Sequence, residues 1–167
     1  MEINAIGPFL EYYEKIRQRT LKVIERIPPD KIDWAYKVGK FTFADLIRHI
    51  ASIERYMYAE NAQLKPSRYP GHGREFADGY ENVLAYMDRM HKESMEIFSR
   101  LSVDDLHKKC KTPGDVEITV WKWLRAMVEH EIHHRGQIYM YLSMIDVSTP
   151  PIYGLTSEEV FERRYTV

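Results

Sequence analysis

Cysteine is almost missing from this sequence, which contains a single one, Cys110. An internal disulfide is therefore excluded, and the composition fits a reducing compartment. Lysines at positions 108, 109 and 111 surround this cysteine, and their charges could lower the pKa of its thiol. The alternative, an incidental cysteine in an exposed loop, is the favoured interpretation.

Long apolar runs and an excess of charge are absent as well. No run approaches the roughly 20 apolar residues that span a bilayer, and the first residues lack the charged-then-apolar layout of a signal peptide. The 24 basic and 25 acidic side chains nearly cancel, and no basic block stands out. We therefore expect a cytoplasmic protein whose partners include neither nucleic acid nor a membrane.

Strand-like alternation and internal repeats are also missing, whereas helical periodicity is strong. Four stretches carry apolar residues at the spacing of one helix face, over about residues 9–27, 42–64, 80–101 and 120–145. A chain of 167 residues suits one domain with a sizeable core. The sequence therefore predicts an all-α fold, a single four-helix-bundle domain over residues 1–167 with a short C-terminal helix in the tail.

Two local patterns refine this prediction. Thr42 followed by Asp45, and Thr156 followed by Glu159, have the spacing of capping boxes that begin helices. The proline- and glycine-rich segment 65–79 predicts a loop that is long for a helix bundle. Loops of that length are often functional or mobile.

Three histidines within five residues stand out in the fourth predicted helix. His130 and His134 are four residues apart, so they lie on the same helix face one turn apart and can converge. Two such imidazoles make half of a divalent-metal site. The candidate third ligand is His49, on the inner shoulder of the second helix. His133 points away from the pair, and we expect it to be solvated.

Each of these residues also has an ordinary structural interpretation. A histidine at the edge of an apolar face is often a satisfied core residue. Gln137 could orient a ligand or a bound water, or it could be a plain surface amide. Glu131 lies near the centre of the apolar stripe, four residues before Arg135, so a partly buried ion pair between them is favoured. The alternative makes Glu131 a partner of a metal ligand or a proton acceptor.

Residues 130–134 also satisfy the H-E-x-x-H pattern of zincin peptidases, in which the glutamate is the general base. A zincin normally has a further metal ligand downstream and a sheet that binds an extended peptide. This sequence predicts no such sheet, and no His, Glu or Asp stands at a familiar spacing after His134. A peptidase is therefore disfavoured.

Two phrases taken together resemble the DinB-like family, also called DinB/YfiT-like, and the resemblance covers nearly the whole chain. They are FTFADLIRHIA at residues 41–51 and H-x-x-x-H-R-G-Q at residues 130–137. The tail at residues 150–156 is also similar to family endings. The resemblance implies a four-helix bundle, frequently a homodimer, in which His49, His130 and His134 hold a divalent metal, most often Zn or Ni.

The resemblance constrains the reaction less than the metal site. Some family members are S-transferases that join a low-molecular-weight thiol to an electrophile, and some relatives isomerise or hydrolyse. The leading hypothesis is a metal-dependent thiol transferase, in which the open metal position keeps a thiol cosubstrate as the nucleophilic thiolate. The alternatives are a hydrolase that activates water with a base such as Glu131, and a non-catalytic protein that binds a metal or a small molecule.

The fourth helix gives a separate reason to expect a homodimer. Beyond the histidines it is apolar on more than one side, through Tyr139, Tyr141, Leu142, Met144 and Ile145. One apolar stripe is enough to pack a helix into a bundle. Either a partner subunit or the tail at residues 147–165 would therefore cover the apolar side chains that lie outside this stripe.

Overall fold

Four long helical segments account for about half of the chain in the computed structural model, which describes residues 2–164. In chain order the helices are α1 (Ile6–Ile24), α2 (Phe43–Ile53), α3 (Ala59–Ala62), α4 (Tyr80–Ser99), α5 (Val103–His107), α6 (Val120–Met144) and α7 (Ser157–Arg163). A π-helical turn, Glu54–Tyr58, joins α2 to α3, and single 3-10 turns occur at Pro29–Lys31 and Arg74–Phe76. The predicted all-α bundle with a short C-terminal helix is confirmed. The predicted domain span of 1–167 includes residues 1 and 165–167, which lie outside the described residues.

The helix boundaries follow local chemistry. Thr42 Oγ1 accepts a hydrogen bond from the Asp45 backbone N–H at 3.0 Å, and the Asp45 carboxylate accepts one from the Thr42 N–H at 2.9 Å. The same reciprocal capping box begins α7 at Thr156, so both predicted boxes are confirmed. The α-helix α1 ends at Ile24, about one turn before the predicted end, because the last turn before Pro28 tightens to i→i−3 bonds, from the N–H of Arg26 to Val23 and from that of Ile27 to Ile24.

Two apolar clusters fill the bundle. One joins the C-terminal half of α1 to α2, the first half of α4 and the end of α6, with Phe43, Met87 and Leu142 almost fully buried. The other lies at the opposite end of the bundle, where Tyr13 and Phe98 are inaccessible to solvent. Burial on this scale is the main source of stability of the fold.

The segment 63–79 is long because it connects helices that run in the same direction. Later residues of the α2 segment contact later residues of α4, which shows that the two helices are parallel. Ser52 Oγ lies 2.8 Å from Tyr86 Oη, and Arg55 Nε, in the π-helical turn, donates to Glu93 at 2.9 Å. A connection between parallel helices must return along the length of the bundle. The predicted long loop is therefore a requirement of the topology.

The second predicted helix is interrupted, contrary to the continuous helix expected over residues 42–64. The backbone N–H of Ala59 donates to the carbonyl of Glu54, five residues earlier, which defines a π-helical turn. Glu54 is 2% exposed and pairs with Arg17 of α1. Apolar periodicity does not predict this turn, because a pattern of apolar residues assigns the charged Glu54 to the solvent-exposed face of the helix.

The expected ion pair between Glu131 and Arg135 is wrong. The Glu131 carboxylate is buried and accepts hydrogen bonds from Tyr13 at 3.0 Å and Thr20 at 2.6 Å, and it pairs with Arg17 at 3.1 Å. Arg135 instead donates to backbone and side-chain oxygens of other elements. The i,i+4 spacing allowed a local pair, but α1 supplies three buried donors to the same carboxylate.

The expectation of an exposed loop cysteine is also wrong. Cys110 is 2% exposed and lies in β1 (Lys109–Lys111), which pairs antiparallel with β2 (Glu117–Thr119). Burial raises the pKa of the Cys110 thiol, so the neighbouring lysines do not activate it. This short hairpin, which the sequence did not predict, positions Cys110 opposite Ile118 and against the second apolar cluster.

The tail covers part of the apolar surplus on α6. The Tyr139 hydroxyl donates to the Pro150 carbonyl at 3.0 Å, and Ile152 packs against the core. Met140 and Met144 stay 57% and 53% exposed on the same helix. None of the helices within residues 2–164 is both long and apolar enough to cross a membrane.

Candidate metal centre

Three imidazoles meet where α2 packs against α6. Nε2 of His49 lies 3.1 Å from Nε2 of His130, which in turn lies 3.0 Å from Nε2 of His134. One ring nitrogen from each histidine lies within 4.8 Å of the other two. All three side chains are half-buried. The structure therefore brings together the three residues that the sequence singled out.

The spacing of the nitrogens suits a divalent metal ion. Tetrahedral Zn–N bonds of about 2.0–2.1 Å place two ligand nitrogens about 3.3–3.4 Å apart. The observed separations of 3.0 and 3.1 Å differ from that value by a few tenths of an ångström, which small ring movements would supply. The three histidines could therefore hold a divalent metal ion, and neutral imidazole is a donor that Zn, Ni, Cu and Fe all accept.

Hydrogen bonds on the far side of two rings fix which nitrogen faces the cluster. Nδ1 of His49 lies 2.9 Å from the Tyr69 hydroxyl, and Nδ1 of His134 lies 2.7 Å from Oε1 of Gln137. An amide oxygen only accepts, so Nδ1 of His134 carries the proton and its Nε2 lone pair is free. Histidines that bind metals usually have such partners, which set the tautomer and the ring orientation. Gln137 thus orients His134, one of the two roles that its position allowed.

The surroundings keep the three imidazoles neutral. Burial, followed by the nearby His134 and His72, lowers the pKa of His49 to about 4. Burial and the neighbouring histidines lower the pKa of His130 to about 3, and burial also lowers the pKa of His134. Since only the neutral imidazole binds a metal, the free cluster is in its binding form near neutral pH.

The other titratable candidates lie outside this cluster. His133 is exposed, as predicted, and its Nε2 accepts a hydrogen bond from the Gln137 amide at 3.3 Å. His91 instead contacts the carboxylates of Glu54 and Glu14. The Glu131 carboxylate is bound to donors of α1 in the core and is not part of the histidine group. It therefore does not stand in the position of a zincin general base.

Two residues of the site escape sequence reasoning. The Tyr69 hydroxyl lies between Nδ1 of His49 and Nδ1 of His72, at 2.9 and 3.0 Å. Tyr69 and His72 belong to the long loop, and a Tyr and a His three residues apart in a loop form no recognisable motif. The unusual length of the loop was the only available signal.

Within residues 2–164 the cluster contains three candidate ligands and no fourth His, Cys, Asp or Glu. Structural zinc sites normally have four protein ligands, whereas catalytic sites have three and leave one position for water or substrate. A model of the DinB superfamily matches residues 12–138 of this chain. The chain belongs to the DinB superfamily. The resemblance of the two histidine phrases to that family is thereby confirmed.

Solved structures share the fold, and two of them are of DinB-like proteins. A protein from Bacillus cereus is 17% identical with a TM-score of 0.74, over 90% of this chain and 99% of that one. One from Bacillus subtilis is 17% identical with a TM-score of 0.72, over 87% and 97%. TT2238, described as a four-helix bundle protein, is 21% identical with a TM-score of 0.63, over 81% and 99%. No curated protein matches the sequence at a significant level.

Proposed function

We propose that this DinB superfamily protein is a divalent-metal-dependent enzyme that transfers a low-molecular-weight thiol to a small electrophile, with Zn or Ni as the metal. The observation that carries the proposal is the half-buried group His49, His130 and His134, which lacks a fourth protein ligand within residues 2–164. An ion held only for structure would be closed off by a fourth side chain. An ion with an open position serves chemistry.

The reaction assigns clear roles to the chain. A bound divalent cation would lower the pKa of a thiol, ordinarily about 8.5, so that the nucleophilic thiolate exists near neutral pH. His49, His130 and His134 would bind the cation, while Gln137 and Tyr69 hold two of the rings in place. In the overall transfer, a sulfur–carbon bond forms, the leaving group departs with its electron pair, and the thiol proton passes to solvent.

Two aromatic side chains, Tyr58 and Trp123, pack beside His130. The Tyr58 ring lies 4.6 Å from the Trp123 ring and 5.9 Å from the His130 ring, measured between centroids. The indole N–H of Trp123 is buried and has no hydrogen-bond partner in the described part of the chain. Buried donors are rarely left unpaired, and an acceptor atom of a substrate could reach this one only if the surrounding side chains moved.

A hydrolase is the weaker alternative, because water activation calls for a base near the metal. Glu131, the base that the H-E-x-x-H pattern would supply, is committed to Tyr13, Thr20 and Arg17 in the core. Its carboxylate therefore cannot accept a proton from a group at the histidine cluster without breaking these buried contacts. Non-catalytic metal binding is the remaining alternative.

A thiol panel tests the proposal. The chelator-stripped protein is reloaded with Zn²⁺ or Ni²⁺ and assayed with cysteine, glutathione and other small thiols against a fluorogenic electrophile. We expect turnover that requires both metal and thiol, and that is lost in His130→Ala. His107→Ala is the matched control, because His107 lies on α5 and its side chain is 52% exposed.

Three results would contradict the proposed transfer. Stoichiometric metal binding without turnover for any thiol would support a binding protein. Turnover that does not depend on thiol would support hydrolysis. Equal loss of activity in His107→Ala and His130→Ala would show that the histidine cluster is not the site.

We also propose that the protein is a cytoplasmic homodimer. Met140 and Met144 remain exposed on α6 after the tail has packed, and a second copy related by a two-fold axis would cover them. Light scattering at micromolar concentration measures the assembly. A mass near the 19.9 kDa of one chain would reject the dimer.

A further inference from the structure

The long loop reaches the metal centre from outside the bundle. Its Tyr69 hydroxyl contacts Nδ1 of His49, the ring nitrogen that points away from the histidine cluster. The same hydroxyl contacts Nδ1 of His72 at 3.0 Å. The loop therefore adds a second layer to one metal ligand, formed by two residues that the family motif does not include.

Several contacts hold this part of the loop rigidly against α2. Arg48, the residue before His49, is 2% exposed and donates to the backbone carbonyls of His72 and Ala77, both at 2.8 Å. The backbone N–H of Arg68, next to Tyr69, donates to the Tyr56 carbonyl at 2.7 Å. Tyr69 is thus anchored on both sides, and its hydroxyl has a defined position.

The His72 ring is fixed as well. Its centroid lies 4.2 Å from that of Phe41, and the Phe41 ring lies 5.6 Å from the His49 ring. Phe41 therefore contacts both histidines and limits the movement of each ring. With the backbone of His72 held by Arg48, the acceptor atom for the Tyr69 hydroxyl is set in place.

The chemistry gives this chain of hydrogen bonds one direction. When Nε2 of His49 presents its lone pair to a metal, Nδ1 carries the proton and donates it to the Tyr69 oxygen. The Tyr69 O–H can then donate only to another acceptor, and Nδ1 of His72 lies at the required distance. The three groups form a continuous chain, His49 to Tyr69 to His72, in which each bond favours the next.

We propose that Tyr69, supported by His72, is a positioning residue that sets the metal affinity of His49. The proposal rests on the proposed metal site and names the part of the loop that controls it. Outer partners of metal-binding histidines typically contribute about 10–100-fold to metal affinity. Removing the Tyr69 hydroxyl should therefore weaken binding by a factor in that range and leave the fold intact.

The test measures binding of Zn²⁺ alone, by competition with a chromophoric chelator, in wild type, Tyr69→Phe and His72→Phe. We expect about 10–100-fold weaker binding in Tyr69→Phe and a smaller loss in His72→Phe, since His72 reaches His49 only through Tyr69. The phenylalanine at position 72 keeps the ring contact with Phe41. Tyr12→Phe is the matched control, because Tyr12 lies on α1 and is 42% exposed.

A second readout separates positioning from general stability. Nitrogen-15 NMR of the Zn-loaded protein should show the Nδ1–H of His49 protected from exchange in wild type and in Tyr12→Phe, and exposed to exchange in Tyr69→Phe. Urea unfolding of the metal-free proteins should give similar midpoints for wild type and Tyr69→Phe. A structural defect would instead lower the midpoint without changing this proton specifically.

The outcomes separate this inference from the proposed metal site. Unchanged Zn²⁺ affinity in Tyr69→Phe, with wild type binding tightly, overturns the positioning role and leaves the site in place. Failure of wild type to bind Zn²⁺ overturns both. If Tyr69→Phe does not fold, His72→Phe decides, and equal affinity of that variant and wild type overturns the proposal.

Discussion

Arg17→Met should destabilise the protein strongly. Arg17 is 2% exposed and pairs with the carboxylates of Glu54 and Glu131, which are 2% and 1% exposed. Burial raises the pKa of Glu54, but the charges of Arg17 and His91 outweigh it, so the pKa is lowered in the folded protein. Methionine fills similar space and leaves both carboxylates in the core without this cation.

The magnitude follows from the cost of stranding a buried charge. Removal of one partner of a buried ion pair typically costs about 3–5 kcal/mol. A native domain has about 5–15 kcal/mol of total stability, so this change removes a large share of it. For a chain of this length, about 2–4 °C of melting temperature is lost per kcal/mol, which predicts a decrease of about 6–20 °C.

Urea unfolding followed by far-UV circular dichroism measures the change. Arg100→Met is the control, because the Arg100 side chain is 78% exposed and its ion pair with Glu96 spans 3.8 Å. That variant should lose less than about 1 kcal/mol. Adding Glu54→Gln and Glu131→Gln to Arg17→Met should recover much of the loss. A loss below about 1 kcal/mol in Arg17→Met would refute the reasoning, because a buried charge pair costs several times more to break.

Three further predictions follow from other buried groups. Burial lowers the pKa of His91, but Glu54 and Glu14 outweigh burial, so the pKa is raised in the folded protein. Protonated His91 therefore stabilises the fold fully below about pH 6.5, and this contribution is lost as the pH rises through the pKa of the folded state. The urea midpoint of wild type should therefore approach that of His91→Gln with rising pH, and a constant difference would contradict this. Metal removal should leave far-UV helicity intact while lowering the melting temperature, because the apolar core suffices for folding; loss of the helical signal at room temperature would show otherwise. Cys110 should react with a thiol reagent far more slowly in the native state than in urea, since burial raises the pKa of its thiol, and fast native labelling would oppose this.

The sequence predicted the bundle and the pair His130 and His134 because both depend on short-range spacing. Apolar periodicity predicted the long helices, and the i,i+4 relation placed His130 and His134 on one face. His49 could be added from the position of its side chain on the shoulder of α2. When two amphipathic helices pack through their apolar stripes, histidines at the edges of those stripes meet along the border of the helix–helix contact.

The failed predictions concern residues whose partners lie far away in the chain. Glu131 pairs with Arg17, more than 110 residues earlier, and not with the local Arg135. Cys110 is buried by a hairpin of three-residue strands, too short to show an alternating pattern. The contact of Tyr69 with His49, about which no prediction was made, depends on a loop whose course is set by the parallel direction of α2 and α4. Local sequence contains no signal for any of these long-range contacts.

The π-helical turn at Glu54–Tyr58 has a consequence for comparing relatives. Such a turn accommodates one residue more than a regular helix, and each helical residue rotates the chain by about 100°. The wide turn absorbs the rotation that the extra residue would otherwise impose, so deleting one residue there would restore a regular helix and leave Tyr69 within reach of His49. Homologues with a regular second helix should therefore show a one-residue gap between the α2 histidine and the loop. In those homologues the loop residue that aligns with Tyr69 across the gap is expected to contact the outer nitrogen of that histidine.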